Sequence, residues 1–250
     1  MLLTIDVGNT TTGVAVFSDG KIISRNKLLT PQEINIKFLK SLVKEDCRNM
    51  IDSVSVSSVV PHVDRSLKKS VVDFFNVDPV FIDYSTDTGI KLLIDDPKEM
   101  GADRIAGYVG ALSFFSPPFM VIDSGTATTF DLVNKNSECI GGSIFPGIGL
   151  SIKSLAQNTA KLDMINFGIP ESIVGTNTEN SIKAGIYYSY IGGLSFMIKE
   201  YKKVIGSDAG VIATGGLSRY FEKKIPEIDL YEPDLIYIGL KNTFKSSVTA

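Results

Sequence analysis

The sequence is short of the residue types on which most metal and hydrolase chemistry rests. Its one histidine, His62, cannot by itself anchor a metal cluster, and it reads as a loop residue rather than a catalyst. Cys47 and Cys139 are the only cysteines. They stand far apart without metal-ligand spacing and read as idle thiols in a reducing compartment. Positive charge is not in excess: 25 Lys and Arg face 28 Asp and Glu, a formal net charge of −3, which argues against a nucleic-acid partner. The basic pairs Lys68-Lys69 and Lys223-Lys224 read as solvated helix faces. The start, Met1 to Asp6, has no basic segment and its apolar run breaks at Asp6, unlike a signal peptide. No apolar run approaches membrane-spanning length. A cytoplasmic protein without a membrane partner is expected. A Walker A loop is absent, and no G-x-G-x-x-G follows a strand.

What the chain does have is a repeat. Residues 2–12 end in Asp6-Val7-Gly8-Asn9-Thr10-Thr11-Thr12, and residues 119–129 end in Asp123-Ser124-Gly125-Thr126-Ala127-Thr128-Thr129. Asp6 aligns with Asp123, Gly8 with Gly125, and Thr11-Thr12 with Thr128-Thr129. Each copy is a β-rich run, an Asp-x-Gly bend with small hydroxyl residues, and a second apolar stretch, so each reads as a hairpin. At 250 residues, 44% hydrophobic, the chain can bury two cores. Further strands are expected at 53–57, 79–83 and 211–214. Helices are expected at 32–46, 62–75, 97–115, 148–160 and 177–203. The alternation indicates an α/β class with a mixed sheet in each of two lobes, divided at Ser116-Pro117-Pro118 into residues 1–116 and 117–250.

Several segments can carry chemistry. In the first hairpin Gly8 and Gly13 let backbone N–H groups approach a phosphate, and Asn9, Thr10, Thr11 and Thr12 add neutral donors. Asp6 would repel phosphate directly but could hold Mg²⁺ through water. An ordinary Asx/Thr turn has the same composition; its recurrence at Asp123 favours nucleotide phosphates gripped from both sides. Asp96, Pro97 and Glu99 are start signals for a helix on which Asp103, Gly107 and Gly110 share a face. Asp103 and Arg104 are either a site or a solvated surface pair. The segment Gly141 to Gly147 either supports the second hairpin or is a plain connection. A capping box at Thr176 to Glu179 opens a long helix. Its stripe Ile182, Ile186, Tyr190, Leu194, Met197 and Tyr201 reads as core. Thr178 stands at its mouth as a possible anion or hydroxyl contact. Ala213-Thr214-Gly215-Gly216-Leu217 could lie under an adenine ring or form a structural turn.

Together these residues resemble type III pantothenate kinase, of the acetate and sugar kinase/Hsc70/actin superfamily. The matching elements are Asp6-x-Gly8-Asn9-Thr10, Gly101-Ala102-Asp103-Arg104, Asp123-x-Gly125-Thr126-Ala127-Thr128, Gly141 to Gly147, Gly175-x-x-Thr178 and Ala213 to Gly216, in the family's order over nearly the whole chain. The resemblance implies two homologous ribonuclease-H-like, actin-like ATPase lobes and ATP-dependent phosphorylation of pantothenate, the first step of coenzyme A biosynthesis. It implies that Asp103 is the general base and that Gly101, Ala102, Asp103, Arg104 and Thr178 contact pantothenate. Asp6, Val7, Gly8, Asn9, Thr10, Thr11, Thr12, Gly13 and Thr126 would contact ATP. Asp123 would ligate a monovalent cation, K⁺ or NH₄⁺, alongside Mg²⁺. Ile94 departs from the family, which often carries a substrate-contacting tyrosine there. The resemblance further implies a homodimer, and the stripes Gly107/Gly110 and Gly185/Ser189/Gly192 suit close helix contacts across it. The competing readings are another small-alcohol or acyl-phosphate kinase of the superfamily, or a non-enzymatic transcriptional accessory factor.

Overall fold

The computed structural model describes residues 1–159, 162–221 and 223–249. The chain forms two compact units: Met1–Phe114 joined by the segment from Asp234 onward, and Phe115–Pro233.

The first unit begins with β1 (Leu2–Val7), β2 (Thr11–Ser18) and β3 (Lys21–Leu29). There follow α1 (Ile36–Leu42), α2 (Glu45–Arg48), β4 (Ser53–Ser58), α3 (Pro61–Phe75), β5 (Val80–Phe81), β6 (Lys91–Leu92) and α4 (Ala102–Ala111). Its sheet has the order β3-β2-β1-β4-β5. The β1–β2 and β2–β3 pairs are antiparallel, while β1–β4 and β4–β5 are parallel. Period-two alternation separates the faces. Leu3, Ile5, Val7, Val14, Val16, Val54 and Val56 point one way into a core closed by Leu39, Val63, Leu67 and Val71 of α1 and α3. The opposite face carries Thr4, Asp6, Gly13, Ser55 and Ser57, so small and polar residues line it.

The second unit contains β7 (Phe119–Ser124), β8 (Ala127–Val133), β9 (Glu138–Pro146), α5 (Ile148–Asn158), α6 (Thr178–Ile205), β10 (Gly210–Thr214) and β11 (Leu230–Tyr231). Its strands run β11-β10-β7-β8-β9, with β7–β8 and β8–β9 antiparallel and β10–β7 and β10–β11 parallel. This is the first unit's order and orientation repeated strand for strand, as two homologous lobes require. Met120, Ile122, Phe130 and Leu132 pack on Ile152 of α5 and on Tyr190, Leu194 and Ile198 of α6. The two hairpins differ by one residue: Val7 pairs with Thr12 around a four-residue turn, and Ser124 with Thr128 around a three-residue one.

The structure revises several sequence expectations. The expected helix 97–115 divides into a single 3₁₀ turn at Pro97–Glu99 and α4, because the buried Met100 and then Gly101 adopt extended backbone between them. The Asp96 carboxylate does cap, accepting from the Lys98 N–H at 3.0 Å, but what it caps is the 3₁₀ turn. The 32–46 helix shortens to α1 and breaks at the extended Val43. Helix 148–160 is α5, and its residue 160 lies outside the described residues. His62 is an exposed residue of α3 rather than of a loop. Gly141 to Pro146 belongs to strand β9; Gly142 is there because a side chain would strike the Phe130 carbonyl across the ladder. The largest revision is α7 (Leu235–Thr249). The expectation assigned residues 117–250 to one lobe, but α7 packs against α4, β1 and β4 of the first unit.

That packing is an interlock of small residues. A side chain at Gly110 would meet the Leu235 carbonyl, and one at Gly239 would meet the Ala106 carbonyl. Gly110 is therefore used against α7 inside the unit, and Gly107 is buried as well, so this stripe is not an exposed face.

Candidate functional site

In the first unit the chemistry-bearing residues collect at the C-terminal ends of the parallel strands β1 and β4, where open α/β sheets bind ligands. The bend after β1 is fixed by hydrogen bonds from Gly8 N–H to the Thr11 carbonyl at 3.0 Å and from Thr30 Oγ1 to the Gly8 carbonyl at 2.7 Å. Thr30 also donates its N–H to the Thr10 carbonyl at 3.0 Å and shares a 3.0 Å hydroxyl contact with Thr12. Asn9 and Thr10 are exposed at the tip, whereas Val7 and Thr12 are buried and offer a ligand only backbone. Asp6 stands between Gly13 and Ser57 in strand register. The hydroxyl of Ser57 is completely buried without a hydrogen-bond partner. Tyr237 of α7 lays its phenol over Gly13 in the space a side chain there would fill. Burial, and after it the Asp6 charge, pushes the Tyr237 phenol far above its usual range.

Asp103 reaches the same end of the sheet. The β4 strand exits through Val59, whose N–H bonds the Val7 carbonyl at 3.0 Å. A side chain at Gly101 would come within 3.4 Å of Val59 and 2.5 Å of the Asp103 carboxylate. The break at Gly101 thus starts α4 where Asp103 occupies its first turn, near the free N–H groups that favour an anion. Its Oδ1 accepts from the Arg104 N–H at 2.8 Å. Burial still outweighs this bond and the Arg104 charge, and holds the carboxyl above the ordinary carboxylate range. A carboxylate so placed is a stronger base than a solvated one. Gly101, Ala102, Asp103 and Arg104 therefore lie one connection away from the Asp6 hairpin.

In the second unit Asp123 is the next-to-last residue of β7, beside Gly215, whose φ of +92° and crowding against Asp123 and Ser124 leave no room for a side chain. Leu217 N–H bonds the Ser124 carbonyl at 3.3 Å and Tyr231 donates to the Gly215 carbonyl at 3.1 Å. The Ala213 to Leu217 segment is thereby fastened to the second hairpin. Thr126 is exposed at the turn, and its carbonyl accepts from Gly147 N–H at 3.0 Å. A side chain at Gly147 would strike the carbonyls of Gly125 and Thr126, so the Pro146-Gly147 corner supports the turn. On the other face of β7, Tyr190 bonds Ser124 at 3.0 Å and Thr128 at 2.6 Å.

Thr178 is the exposed first residue of α6. The cap is Asn177, which accepts from Asn180 N–H at 2.8 Å, rather than Thr176. Gly175 lies against the backbone of Asn180 and Ser181. Thr178 borders a cavity of about 390 Å³ with Asp163, Asn166 and Glu179. Sequence reasoning missed Ser57, Tyr237 and the hydroxyl of Tyr190. Tyr190 was legible only as a member of an apolar stripe, and Tyr237 belongs to a helix that was not expected. Among the described residues no three His, Cys, Asp or Glu side chains cluster to hold a metal, and no helix is long and apolar enough to cross a membrane.

Comparison with known proteins adds a chemical identity to this geometry. A family model described as type III pantothenate kinase matches residues 2–200. A type III pantothenate kinase from Bifidobacterium adolescentis is 35% identical over 254 aligned positions, covering 99% of both chains. Another, from Halalkalibacterium halodurans, is 35% identical over 254 positions, covering 99% of this chain and 100% of the relative. Among solved structures, a Campylobacter jejuni protein assigned to the Baf family of transcriptional activators superposes with a TM-score of 0.62 at 18% identity, covering 99% and 100%. A ROK family glucokinase from Streptomyces griseus, with glucose and AMPPNP, gives 0.53 at 12% identity, covering 96% and 97%. These two share the actin-like kinase fold.

Proposed function

Because the chain belongs to the type III pantothenate kinase family, which phosphorylates pantothenate with ATP at the first step of coenzyme A biosynthesis, we propose that Asp103 is the base of this reaction. The observation that carries the assignment is the placement of a half-buried carboxyl, raised above its usual range by desolvation, at the start of α4 and one connection from the Asp6 hairpin. Asp103 takes the proton of the primary hydroxyl of pantothenate, and the oxygen attacks the γ-phosphorus as the bond to ADP breaks. Arg104 can pair with an anionic group of the substrate in bidentate fashion. Thr178, beside Asp163 and Glu179, suits an uncharged part of the substrate, since those acids repel its carboxylate.

The backbone of residues 6–13 and the exposed Asn9 and Thr10 would hold the phosphates, with Thr126 of the second hairpin also in contact with ATP. The Asp6 carboxylate and the unpartnered Ser57 hydroxyl are hard oxygen donors of the kind a hydrated Mg²⁺ prefers. Such an ion neutralises phosphate charge during transfer. Asp123, at the end of β7, is the proposed ligand of a monovalent cation, K⁺ or NH₄⁺. The exposed stripe Gly185, Ser189, Gly192 and Phe196 on α6 is the proposed contact of a homodimer, and the proposed location is the cytoplasm, in keeping with the need for ATP.

The test is Asp103→Asn, assayed by ADP release with pantothenate and with a panel of other small alcohols. The variant should bind ADP as wild type does and lose about 10²–10⁴-fold in kcat. Near-normal kcat would make Asp103 structural. Wild-type turnover of an unrelated alcohol but not of pantothenate would overturn the substrate assignment.

A further inference from the structure

Ser124 and Thr128 are the last register pair of the second hairpin before its turn. Both are fully buried, and their hydroxyls meet at one atom, the phenol oxygen of Tyr190, at 3.0 and 2.6 Å. The turn above them is closed by Gly125 N–H bonding the Ala127 carbonyl at 3.1 Å. Position 124 corresponds in the repeat to Val7, which is packed in an apolar core and needs no such partner. The second hairpin thus replaces an apolar residue by a buried hydroxyl, and α6 supplies a phenol to satisfy it. A phenol ring could pack there without its oxygen, because the rings of Phe145 and Phe221 pack on it, with centroids 5.8 and 5.2 Å away. The oxygen therefore has a task that packing does not explain.

We infer that Tyr190 is a positioning residue for this hairpin, stapling both of its strands to α6 so that Asp123 and Thr126 are presented in a fixed geometry. Ser124 faces α6, so alternation along β7 sends Asp123 to the opposite face. A hairpin free to rock on its strands would carry Asp123 and the turn with it. The helix is anchored independently by Leu194 and Ile198, so losing the phenol oxygen loosens the hairpin and leaves α6 where it is. The inference rests on the reading of Asp123 and Thr126 as cation and ATP contacts.

The experiment compares Tyr190→Phe, the triple variant Tyr190→Phe/Ser124→Ala/Thr128→Val, and Asp123→Asn. Kinetics are run with ATP, pantothenate and K⁺ each varied, alongside ADP calorimetry and melting temperature. In Tyr190→Phe the KM for ATP and the Kd for ADP should rise about tenfold, the equivalent of about 1.4 kcal/mol. The KM for pantothenate should stay within about twofold. That variant should also melt lower, since two buried hydroxyls lose their partner. The triple variant removes all three hydroxyls and should regain melting temperature while keeping the raised KM for ATP; it also carries the test if the single variant fails to fold. Recovery of KM together with stability would reduce Tyr190 to a structural role and overturn the inference. So would an unchanged KM for ATP in Tyr190→Phe beside a strong effect of Asp123→Asn. If Asp123→Asn changes neither the ATP KM nor the K⁺ response, the hairpin reading itself falls, and the inference falls with it.

Discussion

Replacing Gly239 by alanine puts helix propensity and packing in direct opposition. In a helix interior Ala is favoured over Gly by about 1 kcal/mol, so propensity alone raises stability. The structure argues the other way. A Cβ at Gly239 would collide with the Ala106 carbonyl oxygen and lie 2.7 Å from its carbon and 3.0 Å from its Cα. These are backbone atoms in the middle of α4, which no rotamer change can move. Overpacking of this kind costs about 1–3 kcal/mol. A collision with backbone belongs at the upper end, which leaves a net loss of about 2 kcal/mol. For a chain of this length that is a fall in melting temperature of about 4–8 °C. Gly193 is the control: it lies inside α6 with nothing within 4 Å of a Cβ, and Gly193→Ala should raise the melting temperature by about 2–4 °C. Circular dichroism at matched heating rates decides the sign. A Gly239→Ala protein that melts higher, as the Gly193→Ala control should, would refute the interlock between α4 and α7.

Asp103→Asn should stabilise the folded protein while disabling it. Burial raises the folded-state pKa of Asp103, so its contribution to stability is present at low pH and is lost as pH rises through that value. The variant should therefore melt above wild type at pH 7, and the gain should shrink toward pH 4; a gain that grew as pH fell would reverse the assignment. For the same reason wild-type kcat should decline on acidification as the carboxyl protonates, and a flat acid limb would exclude it as the base. Replacing K⁺ by Na⁺ should slow turnover, and Asp123→Asn should abolish the difference; equal rates in both salts with wild type would remove the cation from Asp123. Charges placed on the exposed α6 stripe, Ser189→Glu with Phe196→Glu, should give a monomer near 27.1 kDa by light scattering. A wild type already monomeric while fully active would rule out the dimer.

The parts of the fold carried by local periodicity were legible. The Asp-x-Gly repeat located both hairpins, and the alternating run at 53–57 and the continuous run at 211–214 became β4 and β10. Of the stripe from Ile182 to Tyr201, Tyr190 and Leu194 are buried core and Ile186, Met197 and Tyr201 pack against it, whereas Ile182 borders the cavity beside Thr178. What escaped depends on contacts distant in sequence. The β3 strand is largely exposed and shows no alternation. The β9 strand contains Gly141 and Gly142, which read as a turn until the Phe130 carbonyl beneath Gly142 explains them. The start of α4 followed the extended backbone at Met100 and Gly101 rather than the caps at Asp96 and Pro97. In the site, Asp103 and the hairpin residues stood out as motifs. Ser57 and Tyr237 did not, because their significance is that they lie beside Asp6 and Gly13.

The return of α7 to the first unit also sets an order of manufacture. The face of the first sheet that carries Asp6, Gly13, Ser55 and Ser57 receives α7 only after residues Phe115–Pro233 have been synthesised. That intervening stretch is roughly 120 residues, or about 6–24 s of elongation at typical rates. The second unit is contiguous and can close as soon as it leaves the ribosome, whereas the first, though made earlier, must wait with its polar face uncovered. The hairpin made first is thus completed last, only after the whole of the second unit has been made.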